Sequence, residues 1–530
     1  MMMMPDFPVV TVAEMKALEG EAFKLGLPYD QMMERAGLGV AEAIQKRFNT
    51  LAPRSILGLV GSGNNGGDSL IALARLAQAG WRATALLSAT ETTDSPLAQR
   101  LEEAGGTIVG WSKFPDKNAL ITNCLSQAGL ILDGLLGTGT RLPLRGPVAE
   151  ILSALRSQPA LPPVVALDCP SGVDCDTGEA DELTLPARLT LCVEAAKTGL
   201  LRFPAADLTG ELQRVPLGLP AGSWLPGQPN TRLLTTAMAH FLLPPRASNA
   251  HKGTFGSALL IAGSRHYTGA ALLATAAALR AGPGLVYAAI PLSLHAPLAC
   301  AVPEAIWEVL PEVEGGIAAE AASLIPPILA NKQALLLGPG LGQAPTTRAF
   351  LTALLTEILP RQATPIPMVL DADALRLLAT LADWPAYLPA SCLLTPHPGE
   401  MAALTGLSIQ AVQADRVAIA RKFARAWGQA VILKGAHTVL ANPSGQVVVL
   451  PGATSALAHG GSGDVLAGMA VGLMAQGLDA WDAGRLAVYL HFQCAVLATQ
   501  TVGHPASVLA GDLVKEIGKV FRDLQTTSPS

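Results

Sequence analysis

The string His459-Gly460-Gly461-Ser462-Gly463-Asp464-Val465-Leu466-Ala467-Gly468 runs a glycine-rich loop into an apolar segment, with a carboxylate at the junction. Glycines let backbone N–H groups converge on one point. A helix starting near Asp464 turns its positive dipole end the same way, so the loop suits a phosphoryl group or the charge on one in transfer. Asp464 then stands where a substrate hydroxyl would give up its proton. Taken alone, the same string also fits a tight loop that packs a helix against a sheet.

Other polar strings in this half of the chain close short apolar runs. They are His251-Lys252-Gly253-Thr254-Phe255-Gly256, Gly269-Ala270-Ala271, Gly338-Pro339-Gly340-Leu341-Gly342, Asp371-Ala372-Asp373-Ala374, Thr395-Pro396-His397-Pro398-Gly399-Glu400 and Lys434-Gly435-Ala436-His437-Thr438. If the runs are strands, the strings form a polar crescent facing Asp464. Lys434 supplies a cation for phosphates, and His397 can donate to a carboxamide or pyrophosphate oxygen. A histidine between two prolines also fits a rigid loop with no ligand.

The first half carries its own cluster. Gly61-Ser62-Gly63-Asn64-Asn65-Gly66-Gly67-Asp68 follows an apolar run and opens a helix, which contains the G-x-G-x-x-G pattern of a dinucleotide loop. The acidic residue that should follow the next strand is met only by Glu91, and the asparagines and Asp68 are more polar than that pattern requires. Something besides a pyrophosphate is therefore expected here. Two further strand ends are polar: Asp133-Gly134-Leu135-Leu136-Gly137-Thr138-Gly139-Thr140-Arg141 and Asp168-Cys169-Pro170-Ser171-Gly172-Val173-Asp174. Asn65, Asp133 and Ser171 could give amide, carboxylate and hydroxyl oxygens to one hard cation, a set better suited to an alkali or alkaline-earth ion than to zinc.

These residues need a scaffold of parallel strands, and the composition suits one. Half of the 530 residues are hydrophobic and only 15% are charged, with 52 glycines and 40 prolines for turns. Strands are expected at Ser55 to Val60, Arg82 to Leu87, Leu130 to Leu132, Val164 to Leu167 and Leu189 to Val193, with helices at Pro28 to Phe48 and Ser69 to Ala79. After a proline-rich, aperiodic stretch from Leu217 to Pro245 a second series follows. Its strands are Ala258 to Ala262, Leu285 to Ile290, Ala334 to Leu337, Met368 to Leu370, Cys392 to Leu394 and Ala430 to Leu433, with a helix at Gly269 to Ala281 and a hairpin turning at Asn442-Pro443-Ser444-Gly445. Two α/β domains are expected, over residues 1–225 and 235–526.

A net charge of -5 gives no electrostatic footprint for nucleic acid or an anionic membrane. The longest apolar stretches are too short to span a bilayer, and Met1 to Val12 has no basic flank or cleavage site of a secretory signal. Seven scattered cysteines without a Cys-x-x-Cys pair suit a reducing compartment. A soluble, cytoplasmic homo-oligomer is the expectation.

The spacing of the Asn64-Asn65-Gly66-Gly67-Asp68 string, the loop Gly137-Thr138-Gly139-Thr140-Arg141-Leu142-Pro143, the Asp168 to Asp174 segment and Lys197 resembles the NAD(P)H-hydrate epimerase family over residues 10 to 220. That resemblance implies a Rossmann-like doubly wound domain. In it Asn64 to Asp68, Gly137 to Pro143 and Asp168 hold the hydrated dinucleotide, and Asn65, Asp133 and Ser171 bind a potassium ion. Asp168, supported by Lys197, is the candidate acid/base. Ser69 stands where the family has glycine and is expected to open the helix.

Residues 235 to 525 are similar to the ADP-dependent NAD(P)H-hydrate dehydratase family within the ribokinase-like superfamily. By that resemblance Ala270, Gly342, His397 and Asp464 touch the hydrate. Lys434, Gly435, Ala436, His437, Thr438 and Gly463 touch ADP, the co-substrate, with a magnesium ion in the same domain. Arg376 replaces the family's usual asparagine. A hydroxyl is a poor leaving group near neutrality, and phosphoryl transfer to it from ADP makes it a good one, so a kinase-type site can dehydrate. An epimerase in the same chain would let both hydrate epimers be repaired. The competing readings are a ribokinase-like small-molecule kinase with a nucleotide-sensing N-terminal domain, which would leave a stable phosphoester, and a first domain that only binds a partner.

Overall fold

All strands of the first sheet run parallel and are covered on both faces, which is why most of its strand sequences are unbroken apolar runs. The computed structural model describes residues 7–89, 95–224, 230–362 and 364–526. Glu91, residues 1–6 and residues 527–530 lie outside them. The chain divides between Arg232 and Leu233 into two units.

The first unit opens with helices α1 (Val12–Lys24) and α2 (Tyr29–Arg47) and then alternates strands with helices, the next helix being α3 (Asn64–Gln78). Its strands are β1 (Ser55–Val60), β2 (Arg82–Leu87), β3 (Thr107–Gly110), β4 (Leu130–Gly134), β5 (Val164–Leu167), β6 (Leu189–Val193) and β7 (Glu211–Val215). They form a seven-stranded sheet in the order β3-β2-β1-β4-β5-β6-β7. Reversal of direction at β1 and β4 is the Rossmann-type switch point, where a crevice opens at the carboxyl edge. The hydrophobic core lies on both faces of the sheet.

Helix α3 begins five residues before the position expected from apolar periodicity. Gly63 caps it, and Asn64 to Asp68 already wind as helix. Ser69 therefore does not open the helix. It is fully buried in the second turn, donates to the Asn65 carbonyl at 2.8 Å, and fits because Gly134 opposite has no side chain. Helix α2 can approach α3 closely because Gly37 is bare: a Cβ there would sit 2.6 Å from Ile71 and 2.8 Å from the Asp68 carbonyl.

The second sheet begins with β8 (Thr231–Leu233), which straddles the division, and continues with β9 (Ser257–Ile261), β10 (Leu285–Pro291), β11 (Ile306–Leu310), β12 (Ala334–Leu337), β13 (Met368–Leu370), β14 (Cys392–Leu394), β15 (Ala430–Leu433), β16 (Val439–Ala441) and β17 (Val447–Val449). Their order in a ten-stranded sheet is β8-β17-β16-β15-β14-β13-β12-β9-β10-β11. From β15 to β11 every pairing is parallel, and the β16–β17 hairpin is antiparallel. The polar strings after β9, β12, β13, β14 and β15 consequently end on one edge, side by side.

Helices α4 (Thr268–Ala281), α5 (Pro398–Thr405), α6 (Ser462–Ala475) and α7 (Ala480–Val502) flank this sheet. Residues Val465 to Ala475 of α6 are all buried, as a helix that is apolar all round must be. It meets α4 at van der Waals distance: a Cβ on Gly468 would lie 2.2 Å from the Ala274 carbonyl. Among the described residues no helix is long and apolar enough to cross a membrane. Gly468→Val, which forces these two backbones apart, is expected to destabilise the unit by roughly 2–3 kcal/mol, read as a lower denaturant midpoint.

Candidate functional site

In the first unit the carboxyl ends of β1, β4, β5 and β6 converge. Asp168 follows β5 directly, with its backbone in the left-handed region at φ 66°, a conformation a non-glycine residue adopts only when its surroundings hold it there. Those surroundings are specific. The Asp168 amide donates to the Leu191 carbonyl at 2.8 Å, the Val193 amide donates to its Oδ1 at 3.0 Å, and Lys197 Nζ forms a short ion pair with the same oxygen. Lys197 is 0% exposed and also donates to the carbonyls of Val193 and Ala195. Burial pulls its ammonium toward losing the proton, but the Asp168 carboxylate outweighs that and holds the pKa above the usual lysine value.

Asn65, in the first turn of α3, donates through Nδ2 to the Leu136 and Leu167 carbonyls at 3.1 and 2.8 Å, which ties the helix start to both neighbouring strand ends. Its Oδ1 lies beside Gly137, where a Cβ would come within 2.5 Å. Asp133 is fully buried; Ser171 donates to it from both its hydroxyl, at 2.6 Å, and its amide, at 2.8 Å. Burial raises the Asp133 pKa, with the Ser171 bonds acting against that. Among the described residues Asp133 has no cationic partner. Thr140 closes the loop from Gly137, donating to the Gly137 carbonyl from both amide and hydroxyl. Arg141 and Pro143 are exposed beyond it, with Thr138 and Leu142 half-buried and Gly139 exposed.

Two groups that sequence reasoning left out or undervalued join this cluster. Glu19 on α1 has its pKa raised by burial, and Asp68 on α3 is raised well above the carboxylate range by burial and by the charges of Asp168 and Glu19. Nothing in the spacing of α1 could announce Glu19. The helix reaches the site because Val9–Val10 pairs in parallel with Ala196–Lys197, a long-range contact.

In the second unit Lys434, just after β15, is largely buried. Its Nζ meets Asp371 Oδ1 at 2.6 Å and stands 3.9 Å from Glu400 Oε2. Thr395 donates its hydroxyl to the same Asp371 oxygen at 2.6 Å. Burial favours the neutral amine, yet Asp371 and Glu400 together hold the Lys434 pKa above its ordinary value. The glycine loop lies over this pair: a Cβ on Gly463 would be 3.3 Å from Lys434 Nζ and 3.8 Å from Asp371 Oδ2. Asp464 sits in the first turn of α6, where the leading N–H groups have no acceptor within the helix. Burial first, then the Asp371 charge, pushes its pKa up to about 7.

The remaining expected residues line the same edge. Ala270 is in the first turn of α4, against Gly340; Gly342 donates its amide to Asp373 at 2.9 Å. His397 caps α5: its Nδ1 accepts from the Gly399 amide at 2.9 Å, and Nε2 lies 3.3 Å from Glu400 Oε1. The ring is thus oriented by its own helix, and burial lowers its pKa. Arg376 reaches toward Glu400 at 4.0 Å from an exposed position. Gly435 to Thr438 form the turn before β16, in which Thr438 donates to the Gly435 carbonyl. His491 on α7 was not singled out by sequence. Its Nε2 is 2.8 Å from the Ser462 carbonyl, and burial drops its pKa to about 4, so a neutral ring braces the glycine loop.

A lysine–carboxylate pair and a polar helix start at the carboxyl edge of a parallel sheet, built twice in one chain, define a two-site α/β enzyme. A family model described as NAD(P)H-hydrate dehydratase matches residues 258–519, and one described as YjeF-related protein N-terminus matches residues 29–199. The bifunctional NAD(P)H-hydrate repair enzyme Nnr of Moorella thermoacetica is 37% identical over 527 residues, spanning 98% of this chain and 97% of that protein. Its Escherichia coli K12 counterpart is 32% identical over 509 residues, spanning 94% and 90%. A solved structure of Bacillus subtilis ADP/ATP-dependent NAD(P)H-hydrate dehydratase, co-crystallized with ATP/Mg2+, is 31% identical and aligns with 55% of this chain and 98% of its own, at a TM-score of 0.46. The chain belongs to the family of bifunctional NAD(P)H-hydrate repair enzymes.

Asp371→Asn removes the carboxylate that neutralises Lys434. It is expected to destabilise the second unit by about 3 kcal/mol in denaturant unfolding, and to move the titration of Asp464, followed by carboxyl NMR, to lower pH.

Proposed function

We propose that this chain repairs hydrated NADH and NADPH, the first unit interconverting the R and S hydrates and the second dehydrating the S form at the expense of ADP. The observation that carries the reading is Asp464: a buried carboxylate with pKa about 7, set at a helix start above a lysine–aspartate pair. A base poised near neutrality beside an anion-stabilising loop is what phosphoryl transfer to a ring hydroxyl requires.

In the second unit Asp464 takes the hydroxyl proton as the oxygen attacks the β-phosphorus of ADP, and AMP departs. The N–H groups from Gly461 to Asp464, with Lys434, hold the charge on the moving phosphoryl group. The ring nitrogen's lone pair then expels phosphate, and loss of a proton from the adjacent ring carbon restores the reduced nicotinamide. Ala270, Gly342 and His397 are assigned to the hydrate, and Lys434 to Thr438 with Gly463 to the nucleotide. The described residues include no cluster of three metal-ligating side chains, so a magnesium ion would enter with the nucleotide phosphates and neutralise their charge.

In the first unit Asn64 to Asp68, Gly137 to Pro143 and Asp168 are assigned to the hydrate, with Asp168 as the acid/base for inverting the hydroxyl-bearing carbon and Lys197 paired to it. Asn65, Asp133 and Ser171 offer oxygens that fit a potassium ion, which would balance the buried Asp133 carboxylate. The same reading takes the protein as a soluble, cytoplasmic homo-oligomer that uses neither nucleic acid nor membrane.

Hydrated NADH incubated with ADP tests the whole. Recovered absorbance of the reduced nicotinamide with equal AMP and phosphate supports repair, while a lasting phosphoester would establish a kinase instead. Asp464→Ala is expected to lower dehydration at least about 100-fold and spare epimerisation, with Asp168→Ala doing the reverse. Because Asp464 must be ionised to accept a proton, dehydration should rise with pH through about 7. The sign for stability is opposite. A carboxyl whose folded pKa is raised stabilises the fold fully only below its unfolded pKa and loses that contribution as pH climbs through about 7, so Asp464→Asn should be the more stable protein in mildly alkaline buffer.

A further inference from the structure

Three carboxylates of the first unit, Asp168, Asp68 and Glu19, act on one another around the buried Lys197 ammonium, and among the described residues only Asp168 is paired with it. Asp168 takes Lys197. Asp68 lies three residues beyond Asn65 on α3, and therefore on the same face of that helix. The Asn65 side chain is bonded at 2.8 Å to the carbonyl of Leu167, the residue immediately before Asp168, so this face is turned to the Asp168 strand end. Glu19 arrives on α1 from the strand segment that pairs Val10 with Lys197. Asp68 is 7% exposed and has neither hydrogen-bond nor ion-pair partner among the described residues. A largely buried carboxyl without a donor or a cation favours the form with its proton on. The groups whose charges act on it, Asp168 and Glu19 against Lys197, leave a net negative surrounding that favours the same neutral form.

We propose that Asp68 is a second catalytic residue of the epimerase site, the carboxylic acid that donates a proton while the lysine-paired Asp168 accepts one. The inference rests on the epimerase reading and assigns the two proton positions within it. In one direction Asp68 gives its proton to the hydroxyl on the hydrated ring carbon. The C–O bond breaks, the oxygen leaves with the bonding pair as water, and the ring nitrogen's lone pair forms a C=N bond. Water adds to the opposite face of that carbon, the C=N pair returns to nitrogen, and the Asp168 carboxylate takes the proton released. The two groups end with their protonation exchanged, which is the starting state for the reverse epimerisation, and exchange with solvent resets them. A carboxylate paired with a lysine beside a buried carboxyl that has no ion-pair partner among the described residues is a recognised way to divide base from acid.

The test follows conversion of the purified R hydrate to the S hydrate by the full-length chain, without ADP. Asp68→Asn keeps the shape of the neutral acid and cannot donate that proton. Its kcat is expected to fall about 100-fold or more with KM changed less than about threefold, whereas Asp68→Glu, which retains a proton, recovers part of the rate. In the unaltered protein kcat/KM should fall on the alkaline side as the acid ionises, at a pH above the ordinary carboxylate range, and Asp68→Asn should lose that limb. An Asp68→Asn protein that epimerises within about threefold of the parent, a loss confined to KM, or a flat alkaline limb in the parent would overturn the assignment while leaving the epimerase reading intact. If the parent fails to epimerise the hydrate above the uncatalysed rate, it is the epimerase reading that falls.

Discussion

A desolvated ammonium must have a carboxylate beside it, because breaking a buried pair by removing one partner is worth several kcal/mol in lost stability. Both units of this protein are organised around that requirement. Lys197 is held by Asp168 and Lys434 by Asp371, each pair at the carboxyl edge of a parallel sheet. With the lysine's charge satisfied, any additional carboxylate in the same site is left in excess negative surroundings. Asp68 in one unit and Asp464 in the other are those additional groups, and both have raised proton affinities, through burial first and the neighbouring carboxylates second. The chemistry of each site follows from the arithmetic of charge as much as from the identity of any one residue.

Parallel strands make that arrangement possible, since every strand in such a sheet delivers its last residue to the same edge. Helices α3 and α6 begin at those edges and contribute unpaired N–H groups. Their positions depend on packing: α2 against α3 at Gly37, and α4 against α6 at Gly468, approach so closely that a single methyl group does not fit. Tightness in the core is thereby transmitted to the helix start. His491, buried and neutral against the Ser462 carbonyl, braces the glycine loop from the side.

Much of this was legible from residue order, and the failures have physical causes. Strands such as Ser55–Val60, Ala334–Leu337 and Ala430–Leu433 stand where their apolar runs put them, because both faces are covered. The unforeseen strands Thr107–Gly110, Glu211–Val215 and Ile306–Leu310 lie at sheet edges, where one side needs no apolar residues. Helix α3 began earlier than expected because asparagine and glycine are poor helix formers, and here tertiary contacts to Leu136 and Leu167 decide the matter. The polar strand ends were recognisable as a set by their motifs. Glu19 and His491 were not, since each joins its site through a contact far away in the chain and carries no local signature.

The left-handed backbone at Asp168 sets local strain against ion pairing at one position. Glycine would occupy that conformation without strain. It would also strand the buried Lys197 ammonium without a carboxylate, a loss larger than the strain relieved. Breeding this protein for heat tolerance alone would therefore keep aspartate at position 168. Lineages that no longer need the first chemistry would go on carrying its proton-bearing residue as an architectural fossil.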